Sequence, residues 1–157
     1  MKGAFRRPFI TGGVEVPDGG GRVTELAARP LLSAFYPELA GFAQPLAGEI
    51  AAHRKLLEQI PFATGYAIET AMLLDVYAEV GLKGMAQVDL EERRNYHQPL
   101  LQLGPMAYAV LRAVMERLRR DGRLHDWEAE PFRAADGRLI EVAWEVRPPF
   151  ASVRTPA

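Results

Sequence analysis

From Pro99 onwards, apolar Leu100, Leu103, Ala107, Val110, Leu111, Val114 and Leu118 recur at the spacing of one helix face, which predicts the longest helix of the chain. Arg117, Arg119 and Arg120 close it with positive charge, as a helix C-terminus favours. A second helix is expected from about Tyr66 to Val80, preceded by Thr64-Gly65 and stopped by Gly81. Ala47 to Ile60 reads as a third, ended by Pro61; a fourth begins at Val23, and Pro30 either kinks it or opens a further helix running to about Phe35. The other pattern is alternation. Gly3 to Ile10 reads as a short strand with Phe5 and Phe9 on one face and Pro8 at an edge or at its end. Met85 to Leu90 alternates, and so do Ile140, Val142, Trp144 and Val146 with Glu141, Ala143, Glu145 and Arg147, a strand with one wet face. Asp136-Gly137 supplies a hairpin turn back to Glu128–Phe132. Thr11–Gly21 and Glu91–His97 are expected as loops and the tail from Pro148 as extended chain. The pattern describes an α/β protein, several helices around a small mixed sheet with a C-terminal hairpin.

Length and composition narrow this picture. At 157 residues and 48% hydrophobic content, residues 1–157 suffice for one domain with a core of its own. Nineteen Lys and Arg against twenty Asp and Glu leave a net charge of -1, which argues against nucleic acid or an anionic membrane as main partner. The absence of cysteine excludes disulfides, thiolate zinc sites and cysteine nucleophiles. No segment approaches the roughly 20 apolar residues of a membrane span, and the first residues lack the apolar run of a signal peptide. A soluble cytoplasmic protein is expected.

Candidate chemistry concentrates in a few places. Gly20-Gly21-Arg22-Val23-Thr24 puts flexible glycines, a guanidinium and a hydroxyl at the entrance of a helical run, where unpaired N–H groups can receive an oxyanion. The plainer alternative is an ordinary connection with Arg22 solvated and Thr24 capping the helix. Glu69 shares a helix stripe with Met72, Leu73, Val76 and Val80, an acid on an apolar face near the positive end of its helix. It is either a site residue or a carboxylate bonded to backbone donors. Arg93 and Arg94 stand in a polar loop of the kind that is usually solvated. His53 and His125 have no evident partner and read as surface or structural.

Arg22-Val-Thr-Glu-Leu-Ala-Ala-Arg-Pro-Leu-Leu32, Phe42-Ala-Gln-Pro-Leu-Ala-Gly-Glu49, Gly65-Tyr-Ala-Ile-Glu69 and Ala86-Gln-Val-Asp-Leu90, in this order and spacing, resemble the second half of the glucosyl-3-phosphoglycerate synthases. These are retaining glycosyltransferases of the GT-A type (glycosyltransferase family 81-like), and the resemblance runs from Lys2 to Pro149. It implies that Tyr66 and Glu69 contact the transferred sugar as the catalytic pair, with Glu69 either a base or only an orienter of hydroxyls. It further implies that Arg22 and Thr24, with the backbone of Gly21 and Val23, hold the phosphate of the acceptor, 3-phosphoglycerate. Arg93 would face the nucleotide phosphates. Where the family shows Arg-x-His with a metal-ligating histidine, this chain reads Arg93-Arg94-Asn95, so Asn95 stands at the metal position and His97 falls to the acceptor. The complete enzyme would use Mg2+ or Mn2+, but its nucleotide-binding half and Asp-x-Asp motif have no counterpart in these residues. A separate partner chain would have to supply that half. The alternative is a non-catalytic, phosphometabolite-binding or oligomerising module, a homo-oligomer pairing through the long helix and the terminal hairpin.

Overall fold

The computed structural model describes residues 1–17, 19–94, 98–126, 131–133, 136–142 and 144–153. Asn95 and His97 lie outside the described residues, as do Glu128 of the expected hairpin and Ala143.

Two helices carry the core: α3 (Ile68–Val80) and α4 (Leu103–Arg120). Val110, Val114 and Leu118 of α4 are buried as their spacing predicts; Leu100 is exposed, because Leu100–Gln102 form a 3-10 turn ahead of the helix. Leu73 and Leu74 of α3 meet Val114 and Leu118, and Leu32, Tyr36, Leu39 and Phe42 complete that cluster. Nearer the N-terminal ends of both helices, Ala63, Ala67, Ala71, Ala109 and Ala113 let the backbones approach, and Val142 and Trp144 pack against them. The apolar stripe expected on α3 holds only in part: Val80 is exposed, whereas Thr70 and Asp75 are buried. Gly81 ends α3 at φ 63, its N–H donating to Tyr77 O at 2.9 Å.

The helical run from Val23 is continuous through Pro30. Thr24–Ala28 form a π-helical turn and Arg29–Phe35 form α1, with Arg29 N–H donating to Thr24 O. Widening the turn ahead of Pro30 accommodates a ring that has no N–H and crowds the preceding turn.

Sequence alternation locates some of the strands and misses others, and they pair as two-stranded ladders rather than as one small sheet. The expected strand Gly3–Ile10 breaks at Arg7-Pro8 into β1 (Lys2–Arg6) and β2 (Phe9–Thr11). β2 turns through Gly12-Gly13 into β3 (Val14–Val16), so the segment Thr11–Gly21 is part hairpin and not all loop. β5 (Gln87–Glu92) runs parallel to β1 and extends past the expected Leu90, taking Glu91 and Glu92 out of the loop. The expected helix over Ala47–Ile60 shrinks to α2 (Arg54–Gln59). Residues 49–51 are bound instead to the other side of β1: Gly3 N–H donates to Glu49 O at 2.8 Å and Ala51 N–H to Met1 O at 3.1 Å. These long-range bonds claim backbone groups that a helix would need.

At the C-terminal end, β6 (Phe132–Arg133) and β7 (Leu139–Ile140) form the expected hairpin, with Gly137 at φ 84 in its turn. The strand does not continue from Ile140. Val142 and Trp144 turn onto the alanine cluster, and β8 (Val146–Arg147) pairs antiparallel with β4 (Phe62–Ala63). The tail is a short helix, α5 (Phe150–Val153), rather than extended. No helix among the described residues is long and apolar enough to cross a membrane.

Candidate anion-binding site

The glycines ahead of the first helix close against the turn after β1. Gly20 N–H donates to Arg7 O at 2.8 Å, and a Cβ at Gly20 would lie 2.6 Å from that oxygen, so no larger residue fits. Gly21 follows at φ 72, the left-handed region that suits glycine. Its carbonyl accepts from Glu25 N–H at 3.0 Å, the first bond back into the helical run. Arg22, Val23 and Thr24, whose N–H groups precede that bond, line a cavity of about 280 Å3. Thr24 does not cap the helix: its Oγ1 is buried and has no partner among the described residues.

Arg22 is not a solvated charge. Its Nη2 donates to Gln98 O at 2.5 Å and its guanidinium lies 5.4 Å from the centre of the Phe9 ring. Two more guanidiniums line the same cavity, Arg7 and Arg93, standing 5.0 and 5.8 Å from the Phe5 ring centre. Arg93 is ion-paired with Glu49. Burial lowers the pKa of Arg7, Arg93 lowers it further, and Glu69 opposes both. Its Nε is buried without a hydrogen-bond partner among the described residues. Such a buried donor calls for an acceptor that the described residues do not supply.

Glu69, in the first turn of α3, is the one carboxylate among the described residues that line the cavity. No hydrogen bond reaches it among the described residues, so it is not the backbone-bonded helix-end carboxylate of the plainer alternative. Tyr66 lies beside it on the turn Gly65–Ala67, mostly exposed at the rim. Leu103, Met106 and Val110 give the cavity an apolar part from α4.

The structure therefore brings Gly21, Arg22, Val23, Thr24, Tyr66, Glu69 and Arg93 to one cavity. Sequence reasoning missed Arg7 and Gln98. Strand alternation would have put Arg7 on the face of Phe5, but the break at Pro8 hid the register. Among the described residues no group of three or more His, Cys, Asp or Glu comes together.

No family model matches the chain. It is 47% identical over 124 residues to the glucosyl-3-phosphoglycerate synthase of Petrotoga mobilis, covering 79% of this chain and 38% of that protein. Identity to the enzyme of the same name from Mycolicibacterium smegmatis is 47% over 117 residues, covering 74% and 39%. Among solved structures, mannosyl-3-phosphoglycerate synthase from Rubrobacter xylanophilus superposes with a TM-score of 0.81 at 48% identity, over 98% of this chain and 50% of that one. The fold is the C-terminal half of that of glucosyl-3-phosphoglycerate synthase. Glucosyl-3-phosphoglycerate synthase from Mycobacterium tuberculosis matches with a TM-score of 0.76 at 36% identity, over 98% of this chain and 49% of its own. That structure contains phosphoglyceric acid, and a further structure of the enzyme holds Mn2+, UDP-glucose and phosphoglyceric acid. The chain thus spans little more than a third of these curated glucosyl-3-phosphoglycerate synthases and half of the solved chains.

Proposed function

We propose that this chain is the acceptor-binding half of a glucosyl-3-phosphoglycerate synthase-like glycosyltransferase, and that its cavity holds the phosphate of 3-phosphoglycerate. The observation that carries the reading is the convergence of Arg7, Arg22 and Arg93 on one cavity with, among the described residues, a single lining carboxylate, Glu69. Positive charge in excess, a Thr24 hydroxyl without a partner among the described residues and the N–H groups at the helix entrance are together a receptor for a multiply charged oxyanion.

In this reading Arg22 grips the acceptor phosphate with Thr24 and the backbone of Gly21 and Val23, and His97 contacts the rest of the acceptor. Tyr66 and Glu69, across the cavity, contact the transferred sugar. Arg93, fixed by Glu49, faces the departing diphosphate, whose charge would draw it. Asn95 offers an oxygen donor to the divalent cation of the complete enzyme. Transfer itself needs the nucleotide-binding half. The parallel pair β1–β5 supports this requirement: every residue of β5 is exposed, Val88 and Leu90 included, whereas parallel sheets are ordinarily covered on both faces.

Calorimetry on the chain tests the reading. 3-Phosphoglycerate should bind and UDP-glucose alone should not bind tightly. Arg22→Lys should cost ten- to a hundredfold in affinity, roughly 1.5–3 kcal/mol for a lost bidentate contact, with the melting temperature nearly unchanged. Unaltered affinity in that variant would remove Arg22 from the site, and no affinity in the wild type would remove the function.

A further inference from the structure

Lys2 lies in the middle of the chain's pairings, between β5 on one side and residues 49–51 on the other, and is only 5% exposed. Its Nζ donates to Ala47 O at 2.6 Å inside the protein. A buried ammonium is costly, and the site described above does not include it. Its surroundings connect it to that site nonetheless. Ala47 belongs to the strap from Leu46 to Glu49: Leu46 lines the cavity, Gly48 packs beside Glu69 Oε1 and Glu49 holds Arg93. Through space, the Glu69 carboxylate attracts the ammonium and the Arg7 guanidinium repels it.

We infer that Lys2 is a positioning residue of the anion site: from behind the cavity wall its ammonium fixes the Leu46–Glu49 strap through Ala47 and balances Glu69 against Arg7, so that affinity for a phosphorylated acid depends on Lys2 being charged. This rests on the anion-site reading above. Burial lowers the pKa of Lys2 to about 8, with Glu69 drawing it back up and Arg7 pushing it further down. The charge is therefore lost within a pH range in which binding can be measured. The other charged or titratable groups around it among the described residues are Glu49 on the strap, the terminal ammonium of Met1, which donates to Ala51 O, and His53 ahead of α2. All three remain in a Lys2 variant, so comparison with that variant isolates Lys2.

The experiment is calorimetric titration of the chain with 3-phosphoglycerate from pH 7 to 9.5, where the ligand's phosphate, with a last pKa of about 6, has lost nearly all of its second proton. Wild-type affinity should fall roughly three- to tenfold through a step near pH 8 as one nearby positive charge disappears. Lys2→Met should bind weakly throughout, without the step. Lys2→Arg should restore the affinity at neutral pH and carry it unchanged to pH 9.5, a rescue that a packing role would not produce. A step that persists in Lys2→Met or Lys2→Arg, or a flat wild-type profile with binding intact, overturns the inference while leaving the anion site standing. If Lys2→Met does not fold, wild type against Lys2→Arg decides alone. Absence of wild-type binding at every pH overturns both readings.

Discussion

Two carboxylates stand on α3 less than two turns apart, and their surroundings differ in kind. Asp75 is buried and saturated: Arg117 Nη2 and Nε donate to it at 2.6 and 3.3 Å and Arg120 Nη1 at 2.8 Å, bonding α3 to α4. Glu69 has guanidiniums and an ammonium within its field, yet no hydrogen bond reaches it among the described residues, and Arg7 Nε beside it also lacks a partner. The first cluster has its acceptors and donors matched, so its worth is structural. The second has donors in excess, which is what a site for an anion requires.

The sharpest way to break the comparison is to remove the saturated acid. Asp75→Ala leaves the buried Arg117 guanidinium without a counter-charge and should cost about 3–5 kcal/mol in denaturant unfolding. A loss near zero would mean that the pair does not hold the two helices. Next in size is the pH dependence of stability. Lys2 has a pKa of about 8 when folded against an ordinary 10.5. Below about pH 8 folded and unfolded chains both carry the proton and no slope arises from Lys2; between the two values the unfolded chain binds more protons, so stability rises with pH. Relative to Lys2→Met, the gain should reach roughly 3 kcal/mol by the upper value. Denaturant midpoints at stepped pH report it, and a falling curve would contradict the buried charge. The gain in stability and the loss of anion affinity should occupy the same pH range, a combination that unfolding cannot imitate.

The smallest effect is expected at Glu69. Glu69→Gln removes an acid that bonds nothing among the described residues, so unfolding free energy should stay within about 0.5 kcal/mol of wild type. Competition with inorganic phosphate should show binding tightened about two- to fivefold, because the variant deletes the one negative charge among the described residues lining the cavity. If Glu69→Gln instead destabilised the chain as much as Asp75→Ala, the two acids would be alike and the contrast would fail.

Much of the fold was legible because its causes are local. The spacing of Val110, Val114 and Leu118, the stop at Gly81 and the Asp136-Gly137 turn each read correctly from neighbours in sequence. The entrance Gly20–Thr24 was legible for the same reason, since glycine geometry and unpaired N–H groups at a helix start depend on a few adjacent residues. The hairpin at Gly12-Gly13 carried a local signal too, and it was lost in a longer run of turn residues. Ala47–His53 misread for the opposite reason: its helical pattern was overridden by bonds to Met1 and Gly3, whose backbone is distant in sequence.

The long helix α4, the stop of α3 at Gly81 and the turn at Asp136-Gly137 were thus set by the string of residues, because rotational period and turn geometry are properties of short segments. Only the tertiary structure decided which charges are matched. Arg7 against Arg6, Arg117 against Arg119, Lys2 against Lys55 and Asp75 against Glu69 look alike as residue types in a string. Burial and through-space distance separate them, since desolvation and Coulomb energy depend on what lies within a few ångströms after folding and not on what lies next along the chain.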